Sequence, residues 1–392
     1  MECYFDNSAT TRVDEQVIET IVKVMKEDYG NPSSKHMKGV ESERYLKDAR
    51  DVLSHILKVK SKEILFTSGG TESNNMALIG GAAANKRAGR HIITTCFEHP
   101  SVKEALKYLA ERKEDPFEIT YLPVDPDGHI SLDDLRNAIR TDTILVSVMM
   151  VNNEIGAVQK IAEIGKVIKE VNPNCLFHVD AVQGFGKYEI FPSKMKIDLL
   201  SVSAHKFHGP KGVGFLYINE KAKIKPIIYG GGQQDGRRSG TDNVPGIAGL
   251  AIAALNASRN LEENVRHMTE LKDRLTDGLL ALSEKGNVKI RINSKKGADS
   301  APHIVSAVFA PVKSEVLLHA LEERGVYVSS GSACSSNKPG LSGTLEAIGL
   351  SKQEADCTLR FSFCKDNTAA QVSYALEQLE ELLPLLSKFT SR

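Results

Sequence analysis

The sequence predicts an α/β protein, with a large unit on a mainly parallel sheet and a smaller α+β unit attached. Three observations predict it. Short apolar runs alternate with helical patterns over the first two thirds of the chain, the rhythm of strand–helix–strand units. Several of those runs are apolar on both faces, as strands in a sheet covered from both sides must be. From about residue 257 the rhythm changes to a long amphipathic helix followed by strands and helices in a different order. At 392 residues the chain exceeds what one core comfortably serves. The change of rhythm sets the division: a large unit over 15–256, and a small unit made from 1–14 and 257–392.

Fifty basic residues cancel fifty acidic ones, so overall charge gives no case for a nucleic-acid or anionic-membrane partner. The six cysteines form no CxxC pair and are too sparse for a disulfide framework, which points to a reducing compartment. MECYFDNSATTRVDEQ carries acids where a secretion signal needs a basic and then an apolar run, and TILVSVMMV is too short to span a bilayer. The expectation is a soluble, cytoplasmic protein.

EILF (63–66) is the first strand of the large unit, and TSGGTESNNMALIGG follows it as a glycine turn opening a helix. Backbone N–H groups and the Thr71 hydroxyl at such a helix start make a phosphate seat; without a following Gly-Lys it is not a nucleotide P-loop. HIITT (91–95) is next and leads to CFEHPSV, where His99 stands ready to stack on a flat cofactor, although a lone histidine there is more often a cap. ILVSVMMV (144–151) precedes Asn153. CLFHV (175–179) ends at Asp180, a carboxylate at a buried strand end, which either caps the next helix or meets a cation such as a protonated pyridine nitrogen. Gln183, just beyond, could lie over a ring oxygen.

DLLSVS (198–203) runs into AHKFHGPKG, which sets Lys206 between His205 and His208. A desolvated lysine at a strand end suits imine chemistry; taken alone it could equally begin a surface loop. Asp180 and Lys206 on neighbouring strand ends together form the pair that pyridoxal phosphate requires: a carboxylate for the ring nitrogen and an amine for the aldehyde. GVGFLYI (212–218) closes the large unit's strand series.

The small unit reads as a helix over roughly 260–284, strands VKIRI and IVSAVF, helix SEVLLHALEERG, strands VYVSS and TLRFSF, and a final helix AAQVSYALEQLEELLPLLSKF. Between two of these strands lies SSGSACSSN (329–337). Cys334 stands there among small residues, where a reactive thiol could be reached and could travel. Cys96, Cys357 and Cys364 read as packing residues.

FDNSATT, TSGGTESNN, TTCFEHPSV, MVNNEIGAVQ, HVDAVQGFGK, SVSAHKFHGPKGVG, RRSGTDN, SSGSACSS and LRFSF, in this order and spacing, resemble the cysteine desulfurases of the NifS/IscS type. These belong to the class V aminotransferase group of pyridoxal-phosphate fold-type I enzymes, and the resemblance covers nearly the whole chain. It implies a seven-stranded sheet in the large unit. It implies that Lys206 carries the cofactor covalently, Asp180 pairs with its ring nitrogen, His99 stacks on the ring and Gln183 bonds the phenolic oxygen. The phosphate would be held by Gly70, Thr71, Ser203 and His205, with Thr241 reaching in from the other subunit of a homodimer.

Arg360 with Asn153 beside it would bind the carboxylate of L-cysteine. Cys334 would take the sulfur as a persulfide, release alanine and hand the sulfur to an acceptor, either an iron–sulfur scaffold or a tRNA-thiolating enzyme. No metal and no direct nucleic-acid contact are implied. A selenocysteine lyase or another class V aminotransferase would share Lys206 and Asp180. Two departures concern docking of partners: Asp235 stands where the family often has a basic residue, although Arg238 keeps the base before SGT, and the sequence stops at SKFTSR, soon after its last helix.

Overall fold

The computed structural model describes residues 1–286, 288–330 and 342–388, so Cys334 lies outside the described residues. The strands are β1 (Cys3–Tyr4), β2 (Ile64–Thr67), β3 (His91–Thr95), β4 (Glu118–Leu122), β5 (Thr143–Met149), β6 (Leu176–Asp180), β7 (Leu199–Ser203) and β8 (Gly214–Ile218) in the first part of the chain. Then follow β9 (Lys289–Ile292), β10 (Ile304–Ala310), β11 (Val326–Tyr327), β12 (Ser329–Ser330) and β13 (Thr358–Ser362).

A seven-stranded sheet has the order β2-β8-β7-β6-β5-β3-β4. Its pairs from β7 through to β4 are parallel, whereas β8 runs antiparallel to both β7 and β2. The physical reason is length: the β7–β8 connection is too short for the crossover that a parallel neighbour needs. Because β8 is reversed against both neighbours, β2 points the same way as β7. The carboxyl ends of β2, β3, β5, β6 and β7 therefore share one edge of the sheet, where ligands of open α/β sheets bind.

Alternate residues feed two cores, Ile64, Phe66 and Val146 on one face and Leu65, Leu145 and Leu216 on the other. The sequence runs were apolar on both faces for this reason. β4 is the strand that the apolar runs did not announce. It lies at the sheet edge, and of EITYL only Leu122 is buried, so its pattern reads as surface.

The later strands form an antiparallel sheet in the order β12-β13-β10-β9, and β1 pairs in parallel with β11. VYVSS is thus not one strand: Val326–Tyr327 joins β1, and Ser329–Ser330 joins β13. Helices Leu261–Lys285 and Ala369–Ser387 pack with these strands around a core that includes Leu275, Phe309, Phe361 and Leu379.

The N-terminal segment crosses from this core to the large sheet. Cys3 and Phe5 are fully buried in it, Asp6 bridges to Ser362, and the Thr11 N–H and hydroxyl both donate to the His205 carbonyl, at 2.9 and 3.0 Å. Among the described residues no helix is long and apolar enough to cross a membrane.

Candidate active site

Each strand end on the shared edge delivers a side chain to one cavity of about 290 Å³. Lys206 ends the short turn after β7 and is half-buried; its Nζ donates to the carbonyls of Ser8 (2.6 Å) and Ala9 (2.7 Å). Both acceptors come from the N-terminal FDNSATT stretch, whose side chains gave no sign that its carbonyls would hold the lysine. Lys187 supports the turn from behind: it is buried, donates to the Lys206 carbonyl at 2.9 Å, and burial followed by the charge of Lys206 pushes it down to about 8.

Asp180, at the end of β6, is 5% exposed. Its Oδ1 accepts from the Val182 N–H at 3.0 Å and its Oδ2 from Asn74 Nδ2 at 2.8 Å. Asn74 also donates to Ser101 Oγ, which lies 2.8 Å from His99 Nδ1. A chain of polar contacts therefore couples the carboxylate to the imidazole. His99 caps the helix Pro100–Ala110, accepting from the Ser101 N–H. Burial lowers its pKa, so the imidazole is neutral at pH 7.

Next to it Glu98 is fully buried, accepting from the Thr95 hydroxyl and the Met149 N–H, and burial pushes it up to about 8. Asn74, Ser101 and Glu98 stand inside the quoted motifs, but side-chain type and spacing alone did not single them out.

At the opposite wall, Gly70 and Thr71 open the helix that follows β2, with Ser203 and His205 near them. Gly69 precedes them at φ 146°, a conformation that favours glycine. Burial, then the charges of Lys206 and Lys211, push His205 down to about 4. Arg360, on β13 and 4% exposed, donates to the Asn153 carbonyl (2.9 Å) and to Asp6 Oδ1 (2.7 Å), while its Nε is buried with no hydrogen-bond partner among the described residues. Asn153 and Gln183 line the same cavity. Thr241 does not: it is exposed and lies outside this cavity's lining.

These residues fit pyridoxal phosphate. A buried carboxylate with two neutral donors needs a cation. Among the described residues, the Asn74 Oδ1 and Arg360 Nε atoms are buried without partners. An amine lies in the same cavity as a helix start that suits a phosphate.

Residues 3–375 match the family described as aminotransferase class-V. A cysteine desulfurase IscS from Methanosarcina thermophila is 44% identical over 383 residues, covering 98% of this chain and 92% of that protein. A mitochondrial cysteine desulfurase from Candida albicans is 40% identical over 391 residues, with 99% and 78% covered. A solved structure named NifS-like protein is 40% identical, with a TM-score of 0.91, over 98% of this chain and 100% of that one. Another, described as SspA in complex with cysteine, is 34% identical with a TM-score of 0.78, over 93% and 100%.

Proposed function

We infer how the site works from one premise: the chain belongs to the class-V aminotransferase family and is a pyridoxal-phosphate-dependent cysteine desulfurase. The observation that carries the assignment of roles is the convergence of Asp180, Lys206 and Arg360 on one cavity.

Bound pyridoxal phosphate supplies an electron sink for an amino acid attached to it. The protein's own groups do the rest. Asp180, held by Asn74 and Val182, would pair with the ring nitrogen. Neutral His99 would lie against the ring, and Gln183 would donate to the phenolic oxygen. Gly70, Thr71, Ser203 and neutral His205 would hold the phosphate. Lys206 would anchor the cofactor, and its Nζ would carry a proton to or from the substrate carbon. Arg360 binds the carboxylate of L-cysteine, with the Asn153 carbonyl and Asp6 fixing its guanidinium plane.

Cys334 attacks the substrate sulfur as a thiolate. A sulfur–sulfur bond forms, the Cβ–sulfur bond breaks with its electron pair left on carbon, and protonation there gives alanine. The other cysteines support this choice by their environments. Burial raises Cys3, Cys96 and Cys357, pushes Cys364 up to about 11 and Cys175 to about 12, so none ionises readily near neutral pH.

L-cysteine offered to the protein should yield one alanine for each persulfide or sulfide. Stoichiometric consumption of a keto acid alongside would instead indicate amino-group transfer. The sulfur acceptor would be an iron–sulfur scaffold or a tRNA-thiolating enzyme, and the compartment the cytoplasm.

The site is completed in a homodimer. Thr241 is exposed on its own chain, on the stretch that begins at Arg238, whose guanidinium pairs with Glu72 at 2.8 Å beside the phosphate seat. There it is free to meet a partner's phosphate. In dimers mixed from Lys206→Ala and Thr241→Ala chains, one site then has both residues intact, and activity should be about half that of the native dimer, because only one of the two sites is lost. Activity no higher than that of Thr241→Ala dimers scaled to one site would place Thr241 and Lys206 of one chain in the same site.

A further inference from the structure

Gln183 carries an amide whose two ends are chemically different, so its usefulness depends on which end faces the cofactor. Its Nε2 donates to the Ser8 carbonyl at 2.9 Å, and its Oε1 lies 3.4 Å from His303 Nε2. Ser8 O is an acceptor only, and it is shared with Lys206 Nζ at 2.6 Å. His303 is therefore the dedicated partner of the amide oxygen.

His303 is 1% exposed and immediately precedes β10; its carbonyl accepts from the Phe363 N–H at 2.8 Å, which ties it to the strand that carries Arg360. Its Nδ1 has no hydrogen-bond partner among the described residues. Burial, then the charges of Lys187, Lys272, Arg360 and Lys206, hold it well below its ordinary value, so the ring is neutral and owns one N–H. On Nε2 that hydrogen meets Gln183 Oε1. On Nδ1 it would be buried unbonded while two acceptors faced each other across the Nε2–Oε1 contact.

We propose that His303 is a positioning residue for the cofactor: as an Nε2–H donor it locks the Gln183 amide with its NH2 group available to the cofactor's ring oxygen. This rests on the reading of Gln183 as the ligand of that oxygen. The sequence pattern gave no hint of it, since a histidine before an apolar strand reads as a turn residue.

The test compares His303→Leu, His303→Gln and Gln183→Leu in the full-length chain. It measures the apparent Kd for pyridoxal phosphate, the absorbance maximum of the bound cofactor and the thermal midpoint of the cofactor-free chain. Gln183→Leu and His303→Leu should each weaken binding roughly five- to tenfold, the cost of one buried hydrogen bond, and shift the absorbance in the same direction. His303→Gln, which offers an amide N–H near the position of Nε2, should return binding to within about twofold. The double variant should be no worse than Gln183→Leu alone, because both changes remove one interaction.

If Gln183→Leu changes neither binding nor absorbance, the reading of Gln183 fails and the proposal with it. If Gln183→Leu changes both and His303→Leu changes neither, or if the two losses add, His303 does not act through Gln183. Should His303→Leu lower the cofactor-free midpoint enough to unfold the chain, His303→Asn takes its place with the same expectations, since its side chain is too short to reach Gln183.

Discussion

Lys206→Ala is expected to leave a folded protein that loses pyridoxal phosphate on dialysis and turns L-cysteine over at least about a thousandfold more slowly. The loss combines the covalent anchor with a proton carrier at the substrate carbon. Folding should survive because Lys206 is half-buried and its two acceptors, the Ser8 and Ala9 carbonyls, belong to a segment also held at Thr11 and Phe5. Absorbance of the dialysed protein and alanine formation are the measurements. A variant that keeps the native absorbance after dialysis would move the anchoring amine elsewhere, and buried Lys187, 2.9 Å from the Lys206 carbonyl, is the residue to examine next.

Cys334→Ser should separate sulfur transfer from everything before it. Cofactor retention and the spectral response to L-cysteine should remain, since neither Lys206 nor Arg360 is altered. Sulfide and persulfide production should fall by about three orders of magnitude, because a hydroxyl is a far poorer nucleophile toward sulfur than a thiol with an appreciable thiolate fraction. Mass analysis of the native protein after one turnover should find the added sulfur on Cys334. Its appearance on Cys357 or Cys364, which are 2% and 8% exposed, or normal turnover in the serine variant, would overturn the assignment.

The parts of the site legible in the sequence are those whose chemistry sits where a strand stops. Asp180, Lys206 and His99 each follow an apolar run, and the parallel sheet brings those ends to one edge without further instruction. Arg360 was legible only through the family pattern, because nothing in TLRFSF says that its strand lies beside the cavity. The second layer was not legible. Asn74, Ser101, Asp6, Ser8 and His303 make contacts between stretches separated in sequence, and a polar side chain carries no mark of the partner it will find. The fold followed the same rule. Buried strands announced themselves, whereas the edge strand β4 hid behind a surface pattern. VYVSS looked continuous because a change of sheet between Tyr327 and Ser329 leaves no trace in composition.

The first residues of the chain have a consequence for the order of its biosynthesis. Asp6 holds Arg360 across 354 positions, β1 waits for β11, and the Ser8 and Ala9 carbonyls hold Lys206 nearly 200 positions away. A ribosome delivers the N-terminal segment first, yet its β1 and Asp6 partners are among the later parts of the chain to emerge. A nascent chain can display Asp180 and Lys206 while Arg360, the partner of Asp6, is still to be made. Such late pairing is slow and favours assembly after release. The Asp6–Arg360 pair therefore closes only after the aspartate and lysine of the same cavity have been made.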